Sequence, residues 1–316
     1  MNVTFPSLEE LEKAAVQIAP YIHRTPVLTS QAINQIASCE LYFKCENFQK
    51  MGAFKMRAAT NAILSLSDFQ RAQGVVTHSS GNFGQAVALA AKQTDAPAYI
   101  VMPSNAPQVK RNAVAGYGAE IILCEPTLEA REQTADAIRQ EKGASFLHPS
   151  NQIEVIIGNA SAGLELLDEV ADLDHIITPV GGGGLIAGSA LAVHYKGEGC
   201  TTLGGEPMEA DDAFRSLRSG RIEQNQTANT IADGLRTTLG DVNFPIIQSL
   251  VDEIIRVEES EIVAAMRLIW ERMKIIVEPS CAVPLAAILK EKSRFKGQRI
   301  GLILTGGNVD LSALPF

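Results

Sequence analysis

Short apolar runs alternate with helical patterns along almost the whole chain. The run "AYIVMP" has the length of a buried strand, and the stretch after it, "APQVKRNAVAGYG", has the spacing of an amphipathic helix. The next run, "AEIILCEP", is followed by the charged helical pattern "TLEAREQTADAIRQEKG". Regular alternation of strands and helices is typical of parallel sheets covered by helices on both faces. The pattern therefore predicts an α/β fold.

These units form two groups along the chain. The first group spans residues 74–148 and also contains "GVVTHSSGNFGQAVALAAK". The second begins with the helix after Ile153 and continues through "HIITPV" and "TTLGGEP" to "RIGLILTGGN". A chain of 316 residues exceeds the usual size of one compact unit, so we expect two lobes with a cleft between them. We assign residues 1–73 and 149–316 to a larger, discontinuous domain and residues 74–148 to a smaller one.

Composition and charge argue against several classes of protein. The formal net charge is −9, and no basic patch is interleaved with aromatic residues, so nucleic acids and membranes are not expected partners. The beginning of the chain lacks the blocks of a signal peptide and has the pattern of an amphipathic helix capped by Ser7 and Glu10. Five cysteines without a C-x-x-C pair argue against a disulfide framework and a zinc ribbon. We therefore expect a cytoplasmic protein with reduced thiols.

Three junctions between a strand and the following loop carry candidate chemistry, because ligands of open parallel sheets bind at the carboxyl ends of strands. The junction "THSSGNFGQ" offers hydroxyls, an amide and the free N–H groups of a helix start. These groups suit a carboxylate or a phosphate, although an ordinary N-cap turn has the same pattern. The junction "LTGGN" offers the hydroxyl of Thr305, which is weak evidence alone.

The remaining junction, "PVGGGGLIAG", has four consecutive glycines between a strand and a helix. Residues without a Cβ let the backbone wrap an anionic group with several N–H groups pointing inward. The spacing matches neither the dinucleotide-binding fingerprint nor the P-loop. We therefore favour a phosphate cup over a plain flexible loop. The glycines and Pro179 also interrupt the longest apolar run too often for a membrane span.

The stretch "MGAFKMRAA" places Lys55 in an apolar turn. A lysine there either extends its ammonium group to water or is used for its chemistry. Pyridoxal phosphate requires a lysine for its Schiff base, a cup for its phosphate and a partner for its ring nitrogen. Lys55, the glycine loop, the asparagine-bearing loop and Thr305 together suggest this cofactor.

Eight motifs follow one another along nearly the whole chain: "RTPVLTS", "KCENFQKMGAFKMRAA", "SSGNFGQA", "PVGGGGLIAG", "EPMEADDA", "TIADGLR", "WERMKIIVEP" and "LTGGNVDL". With these motifs the sequence resembles the fold type II pyridoxal-phosphate enzymes, in particular the group of serine racemase, serine/threonine dehydratases and threo-3-hydroxyaspartate ammonia-lyase. The resemblance implies two lobes, each a mainly parallel twisted sheet flanked by helices, with the cofactor in the cleft between them.

By this resemblance, Lys55 and Ser80 are the catalytic residues, and Lys55 forms the Schiff base. Asn82 bonds the hydroxyl of the cofactor ring, and Thr305 replaces the family's serine at the ring nitrogen. The implied cofactor-binding residues are Phe54, Lys55, Asn82, Gly181, Gly182, Gly183, Gly184, Leu185, Glu278 and Thr305. The expected substrate-binding residues are Ser79, Ser80, Gly81, Gln85, Arg131, Ser150 and Asn151.

The resemblance and the neutral hydroxyl of Thr305 favour an ammonia-lyase that converts a β-hydroxy amino acid such as L-serine or L-threonine to a 2-oxo acid and ammonia. Racemisation requires a second acid/base, the role of Ser80 in racemase-like members, although Ser80 could equally bind only the substrate carboxylate or the phosphate. A serine or aspartate racemase therefore stays an alternative.

Three departures from the family pattern lie near the expected pocket. Ala53 lacks a hydroxyl, Ala58 replaces a glycine, and Phe83 stands where histidine is usual. Ser150 and Asn151 could bond a second substrate carboxylate, so threo-3-hydroxyaspartate and aspartate are alternative substrates. A non-catalytic pyridoxal-phosphate binding protein and a nicotinamide-dependent dehydrogenase are alternatives of other classes, but the glycine fingerprint of the dehydrogenase is missing.

The motif "GGEPMEADDA" implies, through the same resemblance, a structural Mg²⁺, Ca²⁺ or Mn²⁺ bound by Glu206, the backbone oxygen of Ala210 and Asp212. Oxygen ligands suit such hard cations. A solvated acidic helix start has the same composition. The resemblance also implies a homodimer that acts on a small amino acid, with a nucleotide as a possible effector.

Overall fold

The computed structural model describes residues 5–316, without the side chain of Val109, so residues 1–4 of the larger predicted domain lie outside the described residues. Ten strands are present in that range. They are β1 (Val27–Leu28), β2 (Glu40–Cys45), β3 (Val75–His78), β4 (Ala98–Pro103), β5 (Glu120–Cys124), β6 (Ser145–Phe146), β7 (His175–Pro179), β8 (Thr201–Pro207), β9 (Glu253–Val257) and β10 (Arg299–Leu304).

Thirteen α-helices are present in the described part of the chain. They are α1 (Leu8–Ile18), α2 (Gln31–Ala37), α3 (Lys55–Leu64), α4 (Asp68–Gln73), α5 (Asn82–Gln93), α6 (Gln108–Gly116), α7 (Leu128–Lys142), α8 (Ile153–Glu169), α9 (Gly184–Lys196), α10 (Asp212–Ser219), α11 (Phe244–Leu250), α12 (Glu259–Met273) and α13 (Pro279–Lys290).

The strands form two sheets. The larger has the order β1-β2-β10-β7-β8-β9, and only its edge pair β1 and β2 is antiparallel. The smaller has the order β5-β4-β3-β6 and is parallel throughout. The α/β prediction with two mainly parallel sheets is confirmed. All strands of the smaller sheet fall within residues 75–146, while the domain boundaries at 74 and 148 stay a prediction.

Local sequence signals explain several element boundaries. The side chain of Ser7 accepts a hydrogen bond from the N–H of Glu10, and the Glu10 side chain bonds back to Ser7, so the predicted capping box begins α1. The strand β4 covers the six residues of "AYIVMP". None of the helices among the described residues has both the length and the apolar character that crossing a membrane requires.

Helix α8 packs closely on α3, the helix that begins with Lys55. A Cβ on Gly158 would lie 2.8 Å from the backbone oxygen of Arg57 and 2.9 Å from the Cα of Ala58. Only glycine permits this approach between the two helix backbones. The contact fixes α3 against the core, and it thereby fixes the position of the lysine at its first turn.

Candidate active site

Lys55 begins α3 beside the end of β10. The preceding Ala53 forms a bridge with Gly306, and the N–H of Phe54 donates to the carbonyl of Thr305 at 2.9 Å. These two contacts join the lysine turn to the "LTGGN" loop. The structure therefore brings together Phe54, Lys55 and Thr305, which lie about 250 positions apart in the chain.

The amine of Lys55 donates to the carbonyl oxygen of Pro149 at 2.6 Å. Its Nζ also lies 4.9 Å from the ring centre of Phe54 and 5.6 Å from that of Phe83. Burial among these groups lowers the pKa of Lys55 to about 8. About one tenth of the amine is therefore neutral at pH 7, and the neutral form is the nucleophile that a Schiff base requires.

The serine loop lies between β3 and α5. Ser79 accepts a hydrogen bond from the N–H of Gly81 at 3.3 Å, and Ser80 lies between these two residues. Asn82 begins α5, and Gln85 is buried in the first turn of that helix. The predicted substrate-side residues of this loop thus surround a helix N-terminus, where N–H groups and the helix dipole favour an anion.

The amide of Asn82 is oriented by two neighbours. Its Nδ2 donates to both carboxylate oxygens of Glu278 at 3.0 and 3.1 Å, and its Oδ1 accepts from Nδ2 of Asn308 at 2.9 Å. Burial raises the pKa of Glu278 to about 7, against the lowering effect of the Asn82 hydrogen bond. Glu278 was expected among the cofactor-binding residues, and in the structure its carboxylate accepts from the amide of Asn82.

The four glycines after β7 have almost no free space around them. A Cβ on Gly181 would lie 2.9 Å from the carbonyl oxygen of Gly234, and one on Gly182 would lie 2.4 Å from Oγ of Ser150. Gly183 has φ +80°, which favours glycine, and Gly184 begins the 13-residue helix α9 with the buried Leu185 next to it. The loop thus presents backbone N–H groups at a helix N-terminus, as a phosphate cup requires.

Thr305 supplies the best test of whether these residues fit the implied cofactor. Its Oγ1 is buried and has no hydrogen-bond partner among the described residues. Buried hydroxyls are normally paired, so this group is available to a ligand atom such as the ring nitrogen. The unpaired hydroxyl, the half-buried Lys55 amine and the glycine cup fit pyridoxal phosphate. Lys55 would hold its aldehyde carbon, and the cup its phosphate.

The loop after β6 contacts both Lys55 and the glycine cup. The N–H groups of Ser150 and Asn151 donate to Nδ1 of His148 at 3.1 and 2.7 Å. Burial lowers the pKa of His148 to about 4, so the ring is neutral at pH 7 with its proton on Nε2. The amide oxygen of Asn151 accepts from the N–H of Val242, so this oxygen is already engaged within the protein.

Arg131 and Lys110 belong to helices flanking the smaller sheet. Arg131 lies in the first turns of α7, and its charge adds to burial in lowering the pKa of His78 at the end of β3.

Lys110 of α6 forms an ion pair of 3.1 Å with Asp233, in a turn beyond β8 of the larger sheet. The charges of Lys110 and Asp233 both act on the pKa of Glu278. The Lys110–Asp233 pair therefore links the two halves of the molecule beside the site.

The predicted metal ligands lie together at the end of β8. Glu206 accepts from the N–H groups of Ala213 and Phe214 at 2.9 and 2.8 Å. Burial and, secondly, the charge of Asp212 raise the pKa of Glu206 well above its usual value, and burial raises that of Asp212 to about 6. Ala210 is buried in the short turn between them.

These groups include only two carboxylates, and no cluster of three or more His, Cys, Asp or Glu side chains suited to a metal occurs among residues 5–316. Two buried carboxylates that repel each other nevertheless fit a hard divalent cation, which would neutralise them. Glu206, Asp212 and the carbonyl of Ala210 would be its protein ligands.

Pro149 and Asn243 are site residues that the sequence did not reveal. Pro149 acts through its backbone carbonyl, which any residue type would offer. Asn243 precedes α11, so its residue type predicts a helix cap, but its side chain does not cap that helix. Its amide donates instead to the carbonyl of Gly182 in the glycine cup at 2.8 Å.

Comparison with known proteins gives a consistent result. Residues 18–306 match the family described as pyridoxal-phosphate dependent enzyme. Serine racemase of Dictyostelium discoideum is 49% identical over 312 residues, which cover 98% of this chain and 96% of the relative. The beta-hydroxyaspartate dehydratase of Paracoccus denitrificans is 44% identical over 311 residues, with 98% and 99% covered. The crystal structure of a T.th. threonine deaminase has a TM-score of 0.92 and 42% identity, with 98% and 100% covered.

The fold and the site together define a fold type II pyridoxal-phosphate enzyme. The chain belongs to the pyridoxal-phosphate dependent enzyme family, in the group that contains serine racemases and hydroxyaspartate ammonia-lyases. The resemblance inferred from the motifs is therefore confirmed. The roles of individual site residues, the metal, the homodimer, the nucleotide effector and the cytoplasmic location stay predictions.

Proposed function

We propose that the chain is an ammonia-lyase that converts a β-hydroxy amino acid such as L-serine or L-threonine to a 2-oxo acid and ammonia. The observation that carries the proposal is the unpaired hydroxyl of Thr305 beside the turn that bears Lys55. A neutral hydroxyl, unlike a carboxylate, need not hold a proton on the ring nitrogen. Negative charge at the substrate Cα is then less well stabilised, which favours immediate loss of the β-hydroxyl over reprotonation of the Cα.

Bound pyridoxal phosphate supplies the electron sink that makes the substrate Cα–H bond acidic. Lys55 acts as the base that takes the Cα proton, and a pKa of about 8 suits that task near neutral pH. The N-terminus of α9 and the glycine cup hold the phosphate. The amide of Asn82 holds the ring hydroxyl in the orientation that Glu278 and Asn308 impose.

The substrate carboxylate binds at the N-terminus of α5, where Ser79, Ser80 and Gly81 lie between the strand and the helix. The pocket wall beside the amine of Lys55 includes Phe83. This apolar ring stands where the family usually has a histidine. Phe83 excludes water from the amine and offers no hydrogen bond to the substrate side chain.

A substrate panel tests the proposal. We expect L-serine or L-threonine to yield a 2-oxo acid with the wild type, and we expect Lys55→Ala to lose both this activity and the visible absorption of the Schiff base. Lys92→Ala, which removes an exposed lysine at the end of α5, is the control and should retain both. Schiff-base absorption that persists in Lys55→Ala would refute the assignment of the lysine. Absorption without product from any amino acid would indicate the non-catalytic alternative.

Racemisation is the second candidate function. It is supported by Ser80 in the loop before α5 and by the identity of 49% with a relative named serine racemase. The same panel should include aspartate and threo-3-hydroxyaspartate, with product chirality measured in parallel. Selective loss of racemisation in Ser80→Ala, with elimination retained and with Ser249→Ala, an exposed serine of α11, as the control, would establish a two-base racemase. Turnover of hydroxyaspartate far above that of serine would favour a third candidate function, that of a threo-3-hydroxyaspartate ammonia-lyase.

A further inference from the structure

The carbonyl groups of the glycine cup need partners of their own. Backbone N–H groups that point toward a phosphate leave the neighbouring carbonyls pointing away from it, into the protein. A buried carbonyl without a donor costs free energy, and its peptide group can rotate to find one. In this chain Gly182 is buried, and its carbonyl accepts from Nδ2 of Asn243 at 2.8 Å.

Both ends of the Asn243 amide are in use, and the residue is fully buried. Its Nδ2 also lies 3.4 Å from the carbonyl of Ser150, and its Oδ1 accepts from the N–H of Gly240 at 3.2 Å. A Cβ on Gly183 would lie only 2.7 Å from that Oδ1. The amide therefore fills the space directly behind two glycines of the cup.

Asn243 is itself held by Asn151. The amide oxygen of Asn151 accepts from the N–H groups of Val242 and Asn243 at 2.8 and 3.3 Å. Its Nδ2 donates to Oδ1 of Asp241 at 2.8 Å, and this hydrogen bond lowers the pKa of that carboxyl. Residue 151 follows the smaller sheet and residues 241–243 precede α11, so these contacts tie two distant segments together behind the cup.

We propose that Asn243 is a positioning residue for the phosphate group of the ligand, and that Asn151 positions Asn243. Neither side chain needs to contact the phosphate. Asn243 fixes the peptide group of Gly182 so that the N–H groups of the cup face inward, and Asn151 fixes the backbone that carries Asn243. The inference rests on the proposed use of the cup for pyridoxal phosphate.

A positioning role in the cup affects only ligands that carry a phosphate. Replacing Asn243 by alanine leaves the buried carbonyl of Gly182 without its donor. We expect the affinity for pyridoxal phosphate to fall about tenfold to hundredfold, the range that corresponds to one unsatisfied buried group. The affinity for pyridoxal, which has the same aldehyde and ring without the phosphate, should stay within about twofold of the wild type.

The test compares the dissociation constants of pyridoxal phosphate and pyridoxal for the holoenzyme after exchange of its cofactor, by visible absorption. The variants are Asn243→Ala and Asn151→Ala. The control is Gln248→Ala, a residue of α11, the helix that Asn243 precedes; its Nε2 donates to the carbonyl of Gly220 at 3.5 Å on the exposed side. We expect the ratio of the two constants to change in both asparagine variants and to be unchanged in the control.

An equal loss of affinity for pyridoxal phosphate and pyridoxal, or no loss of affinity for either, would overturn the proposal. If Asn243→Ala does not fold, the ratio measured for Asn151→Ala decides, because that residue lies one step farther from the cup. The failure of the proposed function is a separate result. In that case the wild type would release no 2-oxo acid, whatever the ratio of the two constants. If the cofactor assignment itself failed, the wild type would show no Schiff-base absorption with either ligand, or Lys55→Ala would show the same absorption as the wild type.

Discussion

The guanidinium group of Arg57 and the carboxylate of Glu165 face each other through two hydrogen bonds of 2.8 Å, from Nη1 to Oε1 and from Nη2 to Oε2. The same guanidinium makes a second pair of 2.8 Å bonds with the buried carboxylate of Glu46. Arg57 is two positions after Lys55 in α3, and two residues of a helix are about 200° apart around its axis. Arg57 therefore anchors, from behind, the same helical turn that presents Lys55 to the site.

Loss of this anchor should destabilise the protein strongly. Arg57→Met leaves Glu46 buried without its cation, and we expect the free energy of unfolding to fall by about 3–5 kcal/mol. The matched control is Arg24→Gln, which breaks an exposed ion pair with Glu169 and should cost less than about 1 kcal/mol. Urea unfolding measures both changes. Similar small losses of unfolding free energy in the two variants would contradict the anchoring role of Arg57.

The depressed pKa of Lys55 predicts unusual reactivity. Only the neutral amine attacks an aldehyde, so the rate of modification of Lys55 should rise with pH through about 8. An ordinary surface lysine follows the same curve about two units higher. Reductive trapping of a small aldehyde on the cofactor-free protein, with mass spectrometry of the peptide that contains Lys55, measures the midpoint. A midpoint near that of the exposed Lys92 would show that burial does not lower the pKa.

Glu278 predicts a dependence of stability on pH. Its pKa is raised from 4.5 to about 7 in the folded state, so the folded protein holds this proton more tightly than the unfolded chain does. Its contribution to stability is complete below pH 4.5 and is lost as the pH rises through 7. At pH 8 we expect the free energy of unfolding of Glu278→Gln to exceed that of the wild type by on the order of 3 kcal/mol.

The difference between Glu278→Gln and the wild type should disappear below pH 4.5, where both side chains are neutral. Thermal unfolding of the cofactor-free proteins at a series of pH values measures it. A constant difference at every pH would mean that the substitution acts through packing rather than through the proton.

The carboxylates of Glu206 and Asp212 predict a response to divalent cations. Both groups have raised pKa values, so their deprotonation destabilises the fold as the pH rises, and for Asp212 this occurs through about pH 6. Mg²⁺ binds the deprotonated groups and should stabilise the protein more at pH 8 than at pH 5, by about 2.7 kcal/mol at a hundredfold excess over its dissociation constant.

Asp212→Asn should remove most of this response to Mg²⁺, and Glu209→Gln, an exposed acid in the neighbouring turn, should retain it. Thermal unfolding with and without Mg²⁺ makes the comparison. Equal increments of the melting temperature in the wild type and Asp212→Asn would exclude the site.

Local signals made much of the fold predictable. The capping box of Ser7 and Glu10 and the strand "AYIVMP" depend on residues within one short segment, and both are present where the sequence predicts them. The glycine loop and Lys55 were recognisable because unusual residue types stand at strand ends. In each case the information lies within a few positions of the feature itself.

Contacts between distant segments were not predictable in the same way. The donor to Gly182 lies 61 positions farther along the chain, in Asn243. Asn151 was expected to bind substrate. Nothing in the local sequence indicates that its amide oxygen accepts from the N–H of Val242, which follows 91 positions later. Arg57 was visible beside Lys55, but complete burial of an arginine is rare and depends on carboxylates that only the tertiary structure brings near.

The ion pair of Lys110 and Asp233 has a consequence for kinetic measurements. It joins a helix of the smaller sheet to a turn of the larger half, and both side chains are partly exposed, at 32% and 51%. Such a pair weakens as dissolved ions screen it. Kinetic measurements made in buffers of different ionic strength would therefore compare molecules in which this link between the two halves differs in strength.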